Sequence, residues 1–150
     1  YCGTAPIQHV YAMREALDMI AEEGLENIWW RHEVLSGAVG VAVEAWATSG
    51  MVEHNIADPA VRSTAVTTVL SDKADALRAL ARDEANLVIG VALQGFEHRA
   101  FRIGHMGHLN PPMLLGTLGT LEAALNSLGV VGERSGVAAA AAHIAKHLVP

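Results

Sequence analysis

A chain of 150 residues can bury the core of one ordinary domain and is short for two independent ones. Apolar residues make up 51% and charged residues 17%, which excludes intrinsic disorder, and no apolar run approaches the roughly 20 residues of a membrane-spanning helix. Sixteen acidic against ten basic residues give a formal charge of −6, so neither nucleic acid nor an anionic membrane surface is an expected partner.

Pro6 precedes a period of three and four in Ile7, Val10, Met13, Leu17 and Ile20, which predicts an amphipathic helix ended by Gly24. A second helix carries Ile28, His32, Leu35, Val39, Val43 and Trp46 on one stripe and stops at Ser49-Gly50. Gly37 and Gly40 inside it each cost about 1 kcal/mol relative to Ala, so close packing against a neighbour is expected there. A weak strand near Val52 and a firm one in Val66-Thr67-Thr68-Val69 follow. Ser71 or Asp72 caps a helix that buries Leu77, Leu80 and Ala81. Leu87 to Leu93 reads as a strand before a Gln94-Gly95 turn, with Arg99 to His105 as its antiparallel partner. Asn110 with Pro111 and Pro112 opens a helix marked by Leu114, Leu118, Leu121, Leu125 and Leu128, ended by Gly129. Ser135 or Gly136 opens the last helix, with Val137, Ala141, Ile144 and Leu148 on one side. The expected fold is α+β: long connecting helices over residues 1–50, then a small antiparallel sheet covered by helices over 51–150.

Two segments depart from this grammar, Tyr1 to Pro6 and Arg102 to Gly107, each setting polar groups beside glycines. Tyr1 and Thr4, just ahead of a helix N-terminus, suit a phosphate, each donor contributing on the order of 1.5 to 3 kcal/mol to a charged acceptor. Spacing alone favours the plainer alternative, a Thr N-cap after a disordered terminus. Arg102 lies among Phe101, Ile103 and Met106, where a guanidinium needs a carboxylate to offset its desolvation. That carboxylate is an internal Asp or Glu, favoured by the pattern alone, or a bound acid substrate gripped by the guanidinium fork. Arg99, three residues earlier, is the solvated member of the pair.

The eight histidines include the pairs His105/His108 and His143/His147, but neither pair has companions that complete a metal set. Cys2 is the single cysteine and lacks a neighbouring base, so a thiol enzyme is rejected. With no internal disulfide and no targeting signal, the cytoplasm is the expected location. The start at Tyr1 without an initiator Met has the look of a fragment. The two lysines, Lys73 and Lys146, sit among ordinary surface residues, without the desolvated site or cationic neighbour that lowers an amine's pKa.

Through Tyr1-x-x-Thr4-x-Pro6, Arg14 to Ile20, Glu23 to Asn27, Thr67-Thr68-Val69, Phe101 to Gly107, Leu109-Asn110 and Met113 to Gly116, the sequence resembles the carboxyl-terminal part of the class V, fold type I aminotransferases. The likeness is to the alanine/serine-glyoxylate branch and covers essentially the whole chain. It implies pyridoxal phosphate as cofactor, small amino and oxo acids as substrates, and a homodimer in the full-length enzyme. It also implies that Arg102 holds the substrate's α-carboxylate and that Tyr1 and Thr4 reach the cofactor phosphate of the neighbouring subunit.

In that family the lysine that anchors the cofactor belongs to a large domain absent here, so the isolated chain is expected to be inactive. The stretch Val91 to His98 replaces a turn richer in glycine, which alters the loop beside the substrate pocket. His105-Met106 also occurs in the pyridoxamine-pyruvate branch, so donor and acceptor stay open. The alternatives are that enzyme, another class V enzyme, or a non-catalytic dimerisation module.

Overall fold

A computed structural model describes residues 2–148, with five helices and four strands in the order α1 (Ile7–Glu23), α2 (Leu25–Trp46), β1 (Glu53–His54), β2 (Val66–Leu70), α3 (Ala74–Ala85), β3 (Gly90–Val91), β4 (Ala100–Gly104), α4 (Pro111–Ser127) and α5 (Gly136–Ala145). The chain divides into two units, one ending at Arg31 and the other beginning at His32.

In the first unit, Pro6 is the residue before α1, at φ −79°, and no side chain caps the helix. The Thr N-cap reading therefore fails. Gly24 closes α1 at φ +82°, in the region glycine enters without strain, and its N–H donates to the Ile20 carbonyl at 2.9 Å. Across this break, Arg31 donates through Nε and one Nη to the two Glu23 carboxylate oxygens at 2.5 and 2.7 Å. The bidentate pair holds the opening turns of α2 on the end of α1. None of α1's residues is buried.

The second unit is built on a four-stranded antiparallel sheet in the order β1-β2-β4-β3. Alternation along β2 and β4 turns Val69, Phe101 and Ile103 into the core. There they join Leu35, Val39, Val43 and Trp46 of α2, Leu77 of α3, Leu114, Leu118, Leu121 and Leu125 of α4, and Ile144 of α5. Asn110 caps α4, its side chain accepting from Met113 N at 3.0 Å, and Ser135 caps α5, accepting from Ala138 N at 3.1 Å.

Glycines set how closely α5 approaches α2. A Cβ at Gly136 would lie 2.4 Å from Trp46 Nε1 and 2.8 Å from the Ala42 carbonyl oxygen, and one at Gly37 would lie 2.6 Å from His143 Nε2. At Gly136 the crowding is against backbone as well as a ring, so a side chain does not fit at that position. Gly136, Ala140 and Ile144 are buried and Val137 packs partly buried on the core, so of the expected stripe Val137, Ala141, Ile144 and Leu148 the first and third face inward while Ala141 and Leu148 are exposed.

The expected strand over Leu87 to Leu93 is shorter than its apolar run, with only Gly90 and Val91 in the ladder. Asn86 and Gln94 adopt positive φ, 51° and 57°, and bend the chain away on either side.

Candidate functional site

Arg102 is the central residue of β4, opposite Thr68 on β2 and Gly90 on β3. Its neighbours Phe101 and Ile103 are buried, so alternation turns Arg102 to the other face of the sheet, where it is half-buried. The side chain folds across β3, and Nε donates to the Val91 carbonyl at 2.7 Å. Among the described residues no Asp or Glu pairs with it. The internal ion pair favoured by the pattern alone is therefore absent, and Nη1 and Nη2 keep their donors. That is the fork a planar carboxylate needs.

Arg99 is exposed as expected, its guanidinium 5.2 Å from the Phe96 ring centre. Near this end of the sheet a cleft of about 570 Å³ is lined by Gly50, Met51, Leu70, Ser71, Lys73 and Arg99, among others, and does not include Arg102.

His105, the residue that follows β4, is fully buried. Nδ1 lies 3.1 Å from the Thr64 carbonyl and Nε2 lies 2.9 Å from Thr67 Oγ1. A carbonyl only accepts, so Nδ1 carries the proton and Nε2 accepts from the threonine hydroxyl. With the His105 N–H donating to the Ala65 carbonyl at 2.9 Å, this ring fastens the approach to β2 onto the end of β4. Burial pushes its pKa down, and nearby His32 adds to the effect, against raising contributions from the Thr64 carbonyl and its own backbone. The residue is a structural staple for the segment that carries Arg102, which sequence spacing alone did not reveal.

No group of three or more His, Cys, Asp or Glu among the described residues is arranged to hold a metal ion. The rings of His143 and His147 have their centres 4.9 Å apart and are tilted by 40° to each other. Cys2 is exposed and free. In the opening segment, Thr4 is exposed and its hydroxyl has no partner among the described residues, while Tyr1 lies outside the described residues. Lys73 is exposed at the entry to α3 and Lys146 is exposed just after α5.

Gly90 was not singled out by the sequence. Its signal was an isolated glycine within a strand pattern, which marks close approach of another chain segment.

No family model matches the chain. It is 37% identical to a serine–glyoxylate aminotransferase of Arabidopsis thaliana, over 97% of this chain and 36% of that protein. It is 39% identical to a serine–glyoxylate aminotransferase of Methylorubrum extorquens, over 94% and 35%. In structure it is similar to a pyridoxamine-pyruvate aminotransferase from Mesorhizobium loti, with a TM-score of 0.86 and 26% identity over 98% of this chain and 38% of that one. The chain thus spans about a third of the length of the curated relatives it matches. In sequence and fold the chain is similar to the carboxyl-terminal portion of class V aminotransferases of the serine- and alanine-glyoxylate type.

Proposed function

We propose that this chain is the carboxyl-terminal part of a pyridoxal-phosphate aminotransferase that moves an amino group from alanine or serine to glyoxylate or a similar small oxo acid. In this reading residues 1–50 are the interface loop and connecting helices and 51–150 are the small domain. One observation carries the reading: Arg102 is held on a strand by a backbone carbonyl, with its two Nη groups given to no acid of the described residues. A planar fork with both terminal nitrogens unused suits a carboxylate, and amino and oxo acids share that group.

The chain's own residues do not fit the anchoring of the cofactor, because Lys73 and Lys146 are both exposed, whereas a lysine that forms a Schiff base needs a desolvated site. The isolated chain would therefore not transaminate, and the anchoring lysine would come from a large domain. When bound, pyridoxal phosphate supplies an electron sink. The work of this chain is to fix the substrate by its carboxylate, so that the amine and Cα–H are presented in one orientation. Thr4, whose hydroxyl has no partner among the described residues, and Tyr1, by resemblance, are assigned to the cofactor phosphate of the neighbouring subunit. The exposed stripe Ile7, Val10, Met13 and Leu17 of α1 supports burial against more protein in a homodimer. The free Cys2 fits a reducing cytoplasm.

Steady-state assays of the complete enzyme, with serine or alanine as donor, test the proposal. Turnover with glyoxylate is expected, and silence with both glyoxylate and pyruvate removes the transaminase reading. The likeness to the Mesorhizobium enzyme favours one second reading, a pyridoxamine-pyruvate transaminase. Turnover of pyridoxamine with pyruvate, without turnover of serine or alanine with glyoxylate, selects it.

A further inference from the structure

We propose that Gly90 is a positioning residue for Arg102, and that the Gly90-Val91 backbone fixes the guanidinium so that it receives a carboxylate end-on, through Nη1 and Nη2. The proposal rests on the reading of Arg102 as the substrate-carboxylate site and adds the device that aims it. Gly90 and Arg102 are register partners on adjacent antiparallel strands. The Cβ atoms of such a pair ordinarily stand about 4.5–5.5 Å apart. Here a Cβ built on Gly90 would lie 3.2 Å from Arg102 Cβ, 3.4 Å from its carbonyl oxygen and 3.5 Å from Nε. The strands are pinched together at this pair, and the neck of the arginine crosses the place a side chain would fill.

The crossing lets Nε reach the Val91 carbonyl at 2.7 Å. That bond consumes the donor used when a carboxylate docks side-on, across Nε and one Nη. The remaining bidentate arrangement uses both terminal nitrogens. The glycine is not explained by a left-handed turn, since its φ is not among the positive ones. Close approach of Arg102 is the feature that requires it.

The test compares Gly90→Val, Gly90→Ala and Arg102→Ala in the complete enzyme, each checked for folding by thermal unfolding and for cofactor by its absorbance. The probe is propionate, a carboxylate that cannot react, measured as a competitive inhibitor alongside KM and kcat for the amino and oxo acids. For Gly90→Val, a rise of about tenfold in the propionate inhibition constant and in both KM values is expected, with kcat and cofactor content nearly unchanged. Gly90→Ala, whose Cβ needs a shift of only a few tenths of an ångström, should give a smaller rise in the same direction, and it decides the matter should Gly90→Val not fold.

An unchanged inhibition constant in a folded Gly90 variant, beside a raised one in Arg102→Ala, overturns the role of Gly90 and leaves that of Arg102 standing. An unchanged constant in Arg102→Ala itself overturns the underlying reading. Loss of kcat and cofactor in step with the inhibition constant marks a general structural defect and also overturns the proposal.

Discussion

Trp46 and Glu122 meet through a hydrogen bond in which the indole N–H donates to Oε2 at 2.6 Å. The same oxygen accepts from Val137 N at 3.1 Å, and Oε1 accepts from Ser135 Oγ at 2.7 Å. One carboxylate of α4 thus ties the buried end of α2 to the first turn of α5, where free N–H groups and the helix dipole favour negative charge.

Burial alone would push the Glu122 carboxyl up, but hydrogen bonds from Trp46, Ser135 and the backbone of Val137 and Gly136 outweigh it and hold the group below its ordinary 4.5. Glu122→Gln should cost about 1.5 to 3 kcal/mol at neutral pH, the range for a hydrogen-bonded charge. A carboxyl whose folded pKa is lowered contributes its stability in full above the unfolded value and loses it as pH falls through the folded one. Urea denaturation at pH 7 and at pH 4 or below should therefore give a smaller gap between variant and parent in acid.

Two glycines predict contrasting outcomes. Gly136→Ala sets its Cβ against the Trp46 ring and the Ala42 carbonyl, and backbone cannot swing aside, so a loss of about 1 to 3 kcal/mol is expected despite alanine's better helix propensity. Gly37→Ala sets its Cβ nearest the His143 ring, a side chain that yields more readily than backbone, and should cost less. Thermal unfolding of both variants checks the order.

His105 makes stability fall on mild acidification. Its folded pKa is lowered by burial from the ordinary 6.5, so the unfolded chain takes up the proton first. The contribution is whole above about 6.5 and is lost as pH falls from there toward the folded value. His54, also lowered chiefly by burial, and His143, lowered likewise, act in the same direction. His105→Gln should lower stability at pH 7 and flatten its decline between pH 7 and 5, as read from urea midpoints.

The helices were legible because their signals are local: Gly24 at the end of α1, Asn110 with two prolines at the start of α4, and leucines at alternating spacings of four and three. The edge strand was less so, since the apolar run Leu87 to Leu93 does not reveal that Asn86 and Gln94 take positive φ and leave two residues in the ladder. The inward stripe of α5 was half legible: Ile144 and Val137 pack on the core, Ala141 and Leu148 are exposed, and the contact of Gly136 with Trp46 and Ala42 was not visible in hydrophobicity. Arg102 was visible as a charge in an apolar strand. Whether an acid of the same chain faced it is a question of tertiary placement that spacing does not carry, and the same holds for the two threonines that hold His105.

Thr4 has an exposed hydroxyl and no capping role, so Thr4→Ala should leave folding unchanged. In the complete enzyme it should weaken retention of pyridoxal phosphate roughly tenfold or more, the effect of one hydrogen bond to a charged acceptor. Equilibrium dialysis of the cofactor from the parent and the variant checks this, and equal retention removes Thr4 from the phosphate site.

Arg102→Lys in the complete enzyme tests the central claim most directly. Lysine keeps the charge and loses the planar fork, so KM for both the amino and the oxo acid should rise by about 10- to 100-fold, while cofactor absorbance stays as in the parent. KM values equal to those of the parent, with the variant folded and loaded with cofactor, would contradict the assignment of Arg102 to the substrate carboxylate.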